Sequence, residues 1–295
     1  MLPHRFQFHR PPSLEQAFEL LDRHGDEAAL YAGGTELLLA LKARVLRYEH
    51  LVDLKSIAGL KGVREDGGDI VLGALSSHHS LSVDPLLGRV LPAYAALSNG
   101  IANIRVRVAG TIGGNLCFAE PHADPPALLA ALGASVTLRG ASGERSVPVA
   151  NFITGEFTTA RKPNEVLTDV RIPKPPAGAR YAYTSFGHLE RPAVGIAAGY
   201  LPQQRTQHYR VWAGAIGDRP LQMRSVEDAL AGVPPQQLGD VLPRILTAAA
   251  HELPAYDDLQ GSADYKRHLA GVLMRRAIEQ AAGLSSHKEG ANGRA

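Results

Sequence analysis

Arg107-Val108-Ala109-Gly110-Thr111-Ile112-Gly113-Gly114-Asn115 opens the run RVAGTIGGNLCFAEPHADPPALLAALGASV, which extends to Val136 and decides how the rest of the chain is read. The alternation from Ile104 to Val108 predicts a β-strand, which breaks into a glycine pair flanked by small polar residues. A second pair lies upstream in Ala32-Gly33-Gly34-Thr35-Glu36, after another strand-like run, Ala28 to Tyr31. Paired glycines admit positive φ angles and let a ligand come closer to the backbone than a Cβ would allow. Successive N–H groups in such turns form an anion-binding concavity. One such turn is an ordinary strand-to-helix connection, whereas two in one α/β pattern suggest a cradle for a pyrophosphate. Thr111 and Asn115 add side-chain donors, and the Asp124 carboxylate, on the loop beyond, can accept from ribityl, ribose or base N–H groups.

Working outward, the N-terminal part alternates strand and helix. Arg5 to His9 reads as an edge strand stopped by Pro11-Pro12. Ser13-Leu14-Glu15-Gln16 is a capping box opening a helix whose apolar face is Leu14, Ala17, Phe18 and Leu21, with Gly25 as its stop. A helix over Glu36 to Val45 and a strand over His50 to Leu54 complete a β-α-β-α-β unit. Strands are then predicted at Asp69 to Leu75, Ser135 to Arg139, Arg145 to Val149 and Glu165 to Ile172. Helices are predicted at Leu86 to Leu97 and Ala127 to Leu132. The Pro-rich segment Pro173 to Gly178 marks a domain boundary. Beyond it, strands at Tyr181 to Phe186, Ala193 to Leu201 and Tyr209 to Ile216 precede helices at Ser225 to Ala231, Pro235 to His251 and Ala263 to Ala282. The fold class is α+β. The expected division is 1–57, 58–175, a small α+β domain over 176–284, and a frayed tail over 285–295.

At 295 residues with 45% hydrophobic content, the chain is long enough for a sizeable core. A net charge of +2 gives no reason to expect a nucleic-acid partner. No apolar run is long enough to cross a bilayer, and the N-terminus lacks the apolar core of a signal peptide. Cys117 is the single cysteine, so this chain alone forms no intrachain disulfide and holds no cysteine-ligated iron–sulfur cluster. A reducing, cytoplasmic setting follows as the expectation. P-loop, Rossmann, nucleophile-elbow and zincin motifs are all absent.

Other residues invite sharper readings than they support. His122 and Asp124 have the spacing of a metal pair but no evident third ligand, so His122 reads as a solvated loop histidine. His78-His79 reads as capping or surface, and Cys117 as a small buried hydrophobe. Arg105 and Arg107, on one face of the expected strand, read as solvated charges.

YAGGTELLLALK, RVAGTIGGNLCFAEPHADPPALLAALGASV and HRPPSLEQAFELL together resemble the FAD-binding medium subunit of the molybdenum hydroxylases, the xanthine dehydrogenase and carbon monoxide dehydrogenase family. The resemblance covers most of the chain. It implies a vanillyl-alcohol-oxidase-type (PCMH-type) FAD-binding fold in two subdomains followed by a small α+β domain. It implies FAD contacts from Ala32, Gly33, Gly34, Thr35 and Glu36, from Gly110, Thr111, Ile112, Gly113, Gly114 and Asn115, and from Ile101, Asp124 and Leu167, with no catalytic side chain and no metal ligand in this chain. It also implies partners: a large molybdenum-cofactor subunit and a small subunit with two [2Fe-2S] clusters, assembled as a dimer of heterotrimers, in which this chain is the flavoprotein of an oxidoreductase. Two departures bear on the electron acceptor. Gly187 stands where NAD-reducing relatives often have lysine, four residues before Arg191, and Gly195 stands where an acidic residue often precedes the position of Ile196. A stand-alone flavin oxidase of the same fold and a scaffold that has lost its flavin are the alternatives.

Overall fold

The computed structural model describes residues 4–187, 190–202 and 208–284. The expected tail over 285–295 lies outside the described residues. The chain forms two units, Met1–Glu120 with Gly133–Lys174, and Pro121–Leu132 with Pro175–Ala295.

In the first unit, the strands Gln7–His9, His50–Asp53 and Ala28–Tyr31 form a parallel sheet with His50–Asp53 in the centre. Parallel neighbours need crossover connections, supplied here by the helices Leu14–His24 and Leu37–Ala43. The first helix starts as its sequence predicts, the Ser13 hydroxyl accepting from the Gln16 N–H, and Gly25 ends it at φ +48°. Its apolar face packs with Val52, Leu54 and Ile57 and also with Leu75 and Val166. One core therefore joins this sheet to a second, antiparallel one ordered Val63–Asp66, Asp69–Gly73, Val166–Pro173, Ser135–Gly140, Gly143–Pro148. The central strand of that sheet comes last in sequence, so the sheet closes only through long-range pairing.

Three local expectations fail. Ile104–Ala109 is a helix where alternation predicts a strand. The Asn103 side chain caps it by accepting from the Arg105 and Val106 N–H groups, and a cap outweighs β-propensity over so short a run. Arg105 and Arg107 consequently share no face. Arg107 is not solvated: its guanidinium donates to the carbonyls of Ile101 and Ala102. The single helix expected over Leu86 to Leu97 is two, Pro85–Val90 and Pro92–Gly100, because Pro92 has no N–H to carry the ladder through.

In the second unit, Arg180–Phe186, Val194–Leu201, His208–Gly214 and Leu221–Gln222 form an antiparallel sheet in that order. Every residue of Val194–Leu201 is buried, which requires cover on both faces. Val194, Ile196, Ala198 and Tyr200 join a core that includes Ala270, Leu273, Met274 and Ala277 of the helix Ala263–Ala282. The other face carries small residues, and there the helix Pro125–Ala131, itself buried throughout, lies so close that a Cβ on Gly214 would sit 3.1 Å from that of Ala127. Arg210 fixes this helix by donating to the Ala131 carbonyl.

Among the described residues no helix is long and apolar enough to cross a membrane. One buried cation stands out. Lys266 is 1% exposed and donates to the Tyr256 carbonyl and to the Asp258 carboxylate, which also takes His122 Nε2 at 3.2 Å. Lys266→Ala should lower the urea midpoint by the equivalent of about 3 kcal/mol, because it leaves the Tyr256 carbonyl without its side-chain donor and takes the cation from an Asp258 carboxylate that keeps only His122 and the Gln260 N–H. Lys266→Met, which refills the space, should cost about the same if charge pairing dominates, and clearly less if packing does.

Candidate flavin site

The two glycine segments lie side by side in the first unit. A Cβ on Gly33 would fall 2.2 Å from the Ala109 carbonyl oxygen and 2.9 Å from Gly110 Cα, so only glycine lets these backbones touch. Gly34 is glycine for a second reason, φ +74°, and a Cβ there would also strike the Tyr31 ring. Thr35 Oγ1 approaches Gly110, and a Cβ on Gly114 would lie 3.8 Å from that of Ala32. Ala32 to Glu36 and Gly110 to Asn115 are thus brought together.

The two segments differ in what their N–H groups are doing. Ile112 N–H donates to Ser76 O, Gly113 N–H to Ala74 O, Asn115 N–H to Thr111 O, and Gly114 N–H to the Thr111 hydroxyl that caps the helix Ile112–Phe118. The N–H groups of Gly33, Gly34 and Thr35 have no partner among the described residues. Open donors therefore come from the first turn, while the second turn is a close-packed wall. One side-chain atom of that wall is unmatched: Asn115 Oδ1 is buried without a hydrogen-bond partner. A buried orphan acceptor calls for an explanation, and a polar ligand carrying hydroxyl or amide donors supplies one. Half-exposed glycines, unmatched N–H donors and an unmatched amide suit an FAD whose pyrophosphate accepts and whose ribityl or ribose hydroxyls donate.

The remaining expected contacts lie elsewhere. Ile101 is buried at the end of Pro92–Gly100, its carbonyl held by Arg107. Leu167 is buried opposite Leu138, immediately before a β-bulge in Val166–Pro173. Asp124 belongs to the second unit, where its Oδ1 accepts from Tyr183 Oη at 3.0 Å. Burial first, and the Asp124 charge second, push that phenol well above its usual range. His122 is not a solvated histidine: its ring is largely buried, with Nε2 3.2 Å from an Asp258 carboxylate oxygen. Gly187 and Gly195 are closed to side chains in this packing, since a Cβ would meet the Arg191 carbonyl oxygen at 2.1 Å and Tyr183 Oη at 2.0 Å respectively.

Residue matching then identifies the family. Residues 4–175 match the family described as FAD binding domain in molybdopterin dehydrogenase, and residues 189–281 match the CO dehydrogenase flavoprotein C-terminal domain. The chain belongs to this molybdopterin dehydrogenase FAD-binding family. It is 36% identical to the carbon monoxide dehydrogenase medium chain of Afipia carboxidovorans over 95% of this chain and 98% of that one. It superposes on the carbon monoxide dehydrogenase structure from Hydrogenophaga pseudoflava with a TM-score of 0.91 at 33% identity, covering 97% of this chain and all of that one. Quinoline 2-oxidoreductase from Pseudomonas putida 86 gives 0.88 at 28% identity, over 96% and 99% of the two chains. Family membership makes the chain a medium, FAD-binding subunit of the molybdenum hydroxylase type, with the α+β FAD-binding domain fold of these structures and a place in a multi-subunit dehydrogenase.

Sequence reading missed His78, which it placed in a capping or surface role. His78 is buried behind the second glycine segment: its N–H donates to Gly110 O, its ring lies against Gly110, and its Nδ1 has no partner. No spacing in the sequence signals this, because the tertiary contact with Gly110 creates it. Burial pushes the imidazole down to about 4 from 6.5. Between those two values the unfolded chain takes up a proton that the folded chain refuses, so stability should fall as pH drops from about 6.5 to about 4, by about 3 kcal/mol in all. His78→Leu should flatten that part of the stability-against-pH curve. An unchanged slope would place the titrating group elsewhere.

Proposed function

We propose that this chain is the electron-transfer flavoprotein of a molybdenum hydroxylase complex, drawing electrons from [2Fe-2S] clusters in a small partner subunit and passing them to an external acceptor. A large partner subunit would hold the molybdenum cofactor and oxidise the substrate, and the assembly would be a cytoplasmic dimer of such heterotrimers. The observation that carries this reading is the convergence of two glycine segments that leaves the Gly33, Gly34 and Thr35 N–H groups and Asn115 Oδ1 without protein partners.

In this reading, residues 1–57 and 58–175 supply one segment each. Gly33, Gly34 and Thr35 bind phosphate oxygens through N–H groups, Glu36 completes their turn, and Ala32 and Gly110 to Gly114 form the close wall. Asn115 accepts from a hydroxyl, while Ile101 and Leu167 present apolar edges. Bound FAD supplies one-electron uptake with two-electron delivery, and the protein's part is to hold and orient it. No side chain at the turns is set up as a general acid or base, since His78 is buried and held neutral.

Gly114 is the informative position to change, because a Cβ there meets side-chain atoms alone, the Thr111 hydroxyl at 2.9 Å and Ala32 Cβ at 3.8 Å, and no backbone atom. Gly114→Val should leave the fold intact and lower FAD per chain at least about tenfold, read from the visible absorbance of the purified protein. Full flavin content in that variant would remove the pyrophosphate from this wall. Affinity purification from the native host should recover a molybdenum subunit and an iron–sulfur subunit with the chain. An active, flavin-bearing chain recovered alone would favour the stand-alone oxidase instead.

A further inference from the structure

Away from the glycine segments, His9, His24 and His50 bring one ring nitrogen each to within 4.8 Å of the other two. His9 ends the strand Gln7–His9, His50 opens the neighbouring strand His50–Asp53, and His24 ends the helix Leu14–His24 that crosses from Gln7–His9 toward the opposite edge strand Ala28–Tyr31. His9 Nε2 and His50 Nδ1 are 3.0 Å apart, and the His24 ring lies on that of His50 with centroids 3.6 Å apart at 20°. A hydrogen bond between His9 and His50 accounts for two of the three rings. It leaves the third, stacked on the pair from a separate element, without a role.

We propose that His9, His24 and His50 form a binding site for a divalent first-row cation of the zinc class, with solvent in the fourth position. Tetrahedral zinc with imidazole at about 2.0–2.1 Å needs its nitrogens about 3.4 Å apart; His9 and His50 stand at 3.0 Å and all three nitrogens lie within 4.8 Å, so rotation of the stacked His24 ring about its side-chain bonds completes the set. All three rings are half-buried, which leaves one side open to water and gives the ion an entry path. The donors are pure imidazole, a set that selects zinc, copper or nickel over magnesium and calcium. Arg23 and Glu27 are the charged neighbours, one of each sign, so the surroundings neither attract nor repel a cation strongly. Because the ligands come from two strands and the helix between them, a bound ion would cross-link the sheet at its His50 end. His50 pairs with Ala28, at the start of the strand whose far end leads into Gly33. The site is therefore separate from the flavin cradle and does not depend on it.

The test uses the untagged, FAD-loaded protein, stripped with EDTA, exchanged into micromolar Zn²⁺ or Mg²⁺ and desalted before metal analysis. The wild type should retain about one zinc and no magnesium, its melting temperature should rise with Zn²⁺ alone, and zinc-edge X-ray absorption should show imidazole nitrogen at about 2.0–2.1 Å. His24→Ala and His50→Gln should each cut retained zinc about tenfold or more while FAD per chain stays at the wild-type value. The proposal is overturned if the wild type retains less than about a tenth of an equivalent, if magnesium is held equally, or if both variants keep the wild-type zinc content. The absorption spectrum requires no variant, so non-imidazole ligation would be decisive even if a substitution unfolded the chain.

Discussion

Backbone pressed against backbone is the constraint on which the first unit depends. The segment Ala109 to Gly114 lies against Gly33 on one side and against Ala74 to Ser77 on the other, with room at Gly33 and Gly113 for no further side chain. Its N–H groups at Ile112 and Gly113 are taken up by carbonyls of that neighbouring segment, and the Gly110 carbonyl by the His78 N–H. The glycines are thus required by the protein's own packing as well as by any ligand. That dual requirement explains the division of labour: the second turn is fully committed to the fold, and the first keeps donors facing outward.

The second unit solves a related crowding problem with small residues. Gly195 and Gly199 on the fully buried strand leave room for the rings of Tyr183 and Tyr181, and Tyr183 reaches Asp124 through the space a side chain at 195 would fill. A glycine, a tyrosine and a carboxylate therefore form one packed arrangement. A change at any of them has to be answered by the other two.

Much of this was legible in the sequence. Capping at Ser13, the strand Ala28–Tyr31, the strands beyond residue 178 and the helix Ala263–Ala282 follow from period and punctuation, and both glycine pairs stand out as places where the backbone permits close approach. Ile104–Ala109 was misread because its alternation of apolar and basic residues fits a strand, and the deciding signal, the Asn103 cap, is a single side chain. The side-by-side placement of the two turns, the burial of His78 and the orphaned Asn115 oxygen were not legible. Each depends on which distant segment packs against it. The three-histidine cluster was hidden for the same reason, its members being spread over 41 residues of sequence.

Cys117 sits in the short helix that carries the second glycine pair, and burial pushes its thiol up to about 11. At neutral pH roughly one molecule in ten thousand would then carry the thiolate, the form that alkylating reagents and oxidants attack. A cysteine introduced at a fully exposed position would ionise far more readily at neutral pH than Cys117, so brief labelling with a fluorophore or spin probe would favour the introduced thiol.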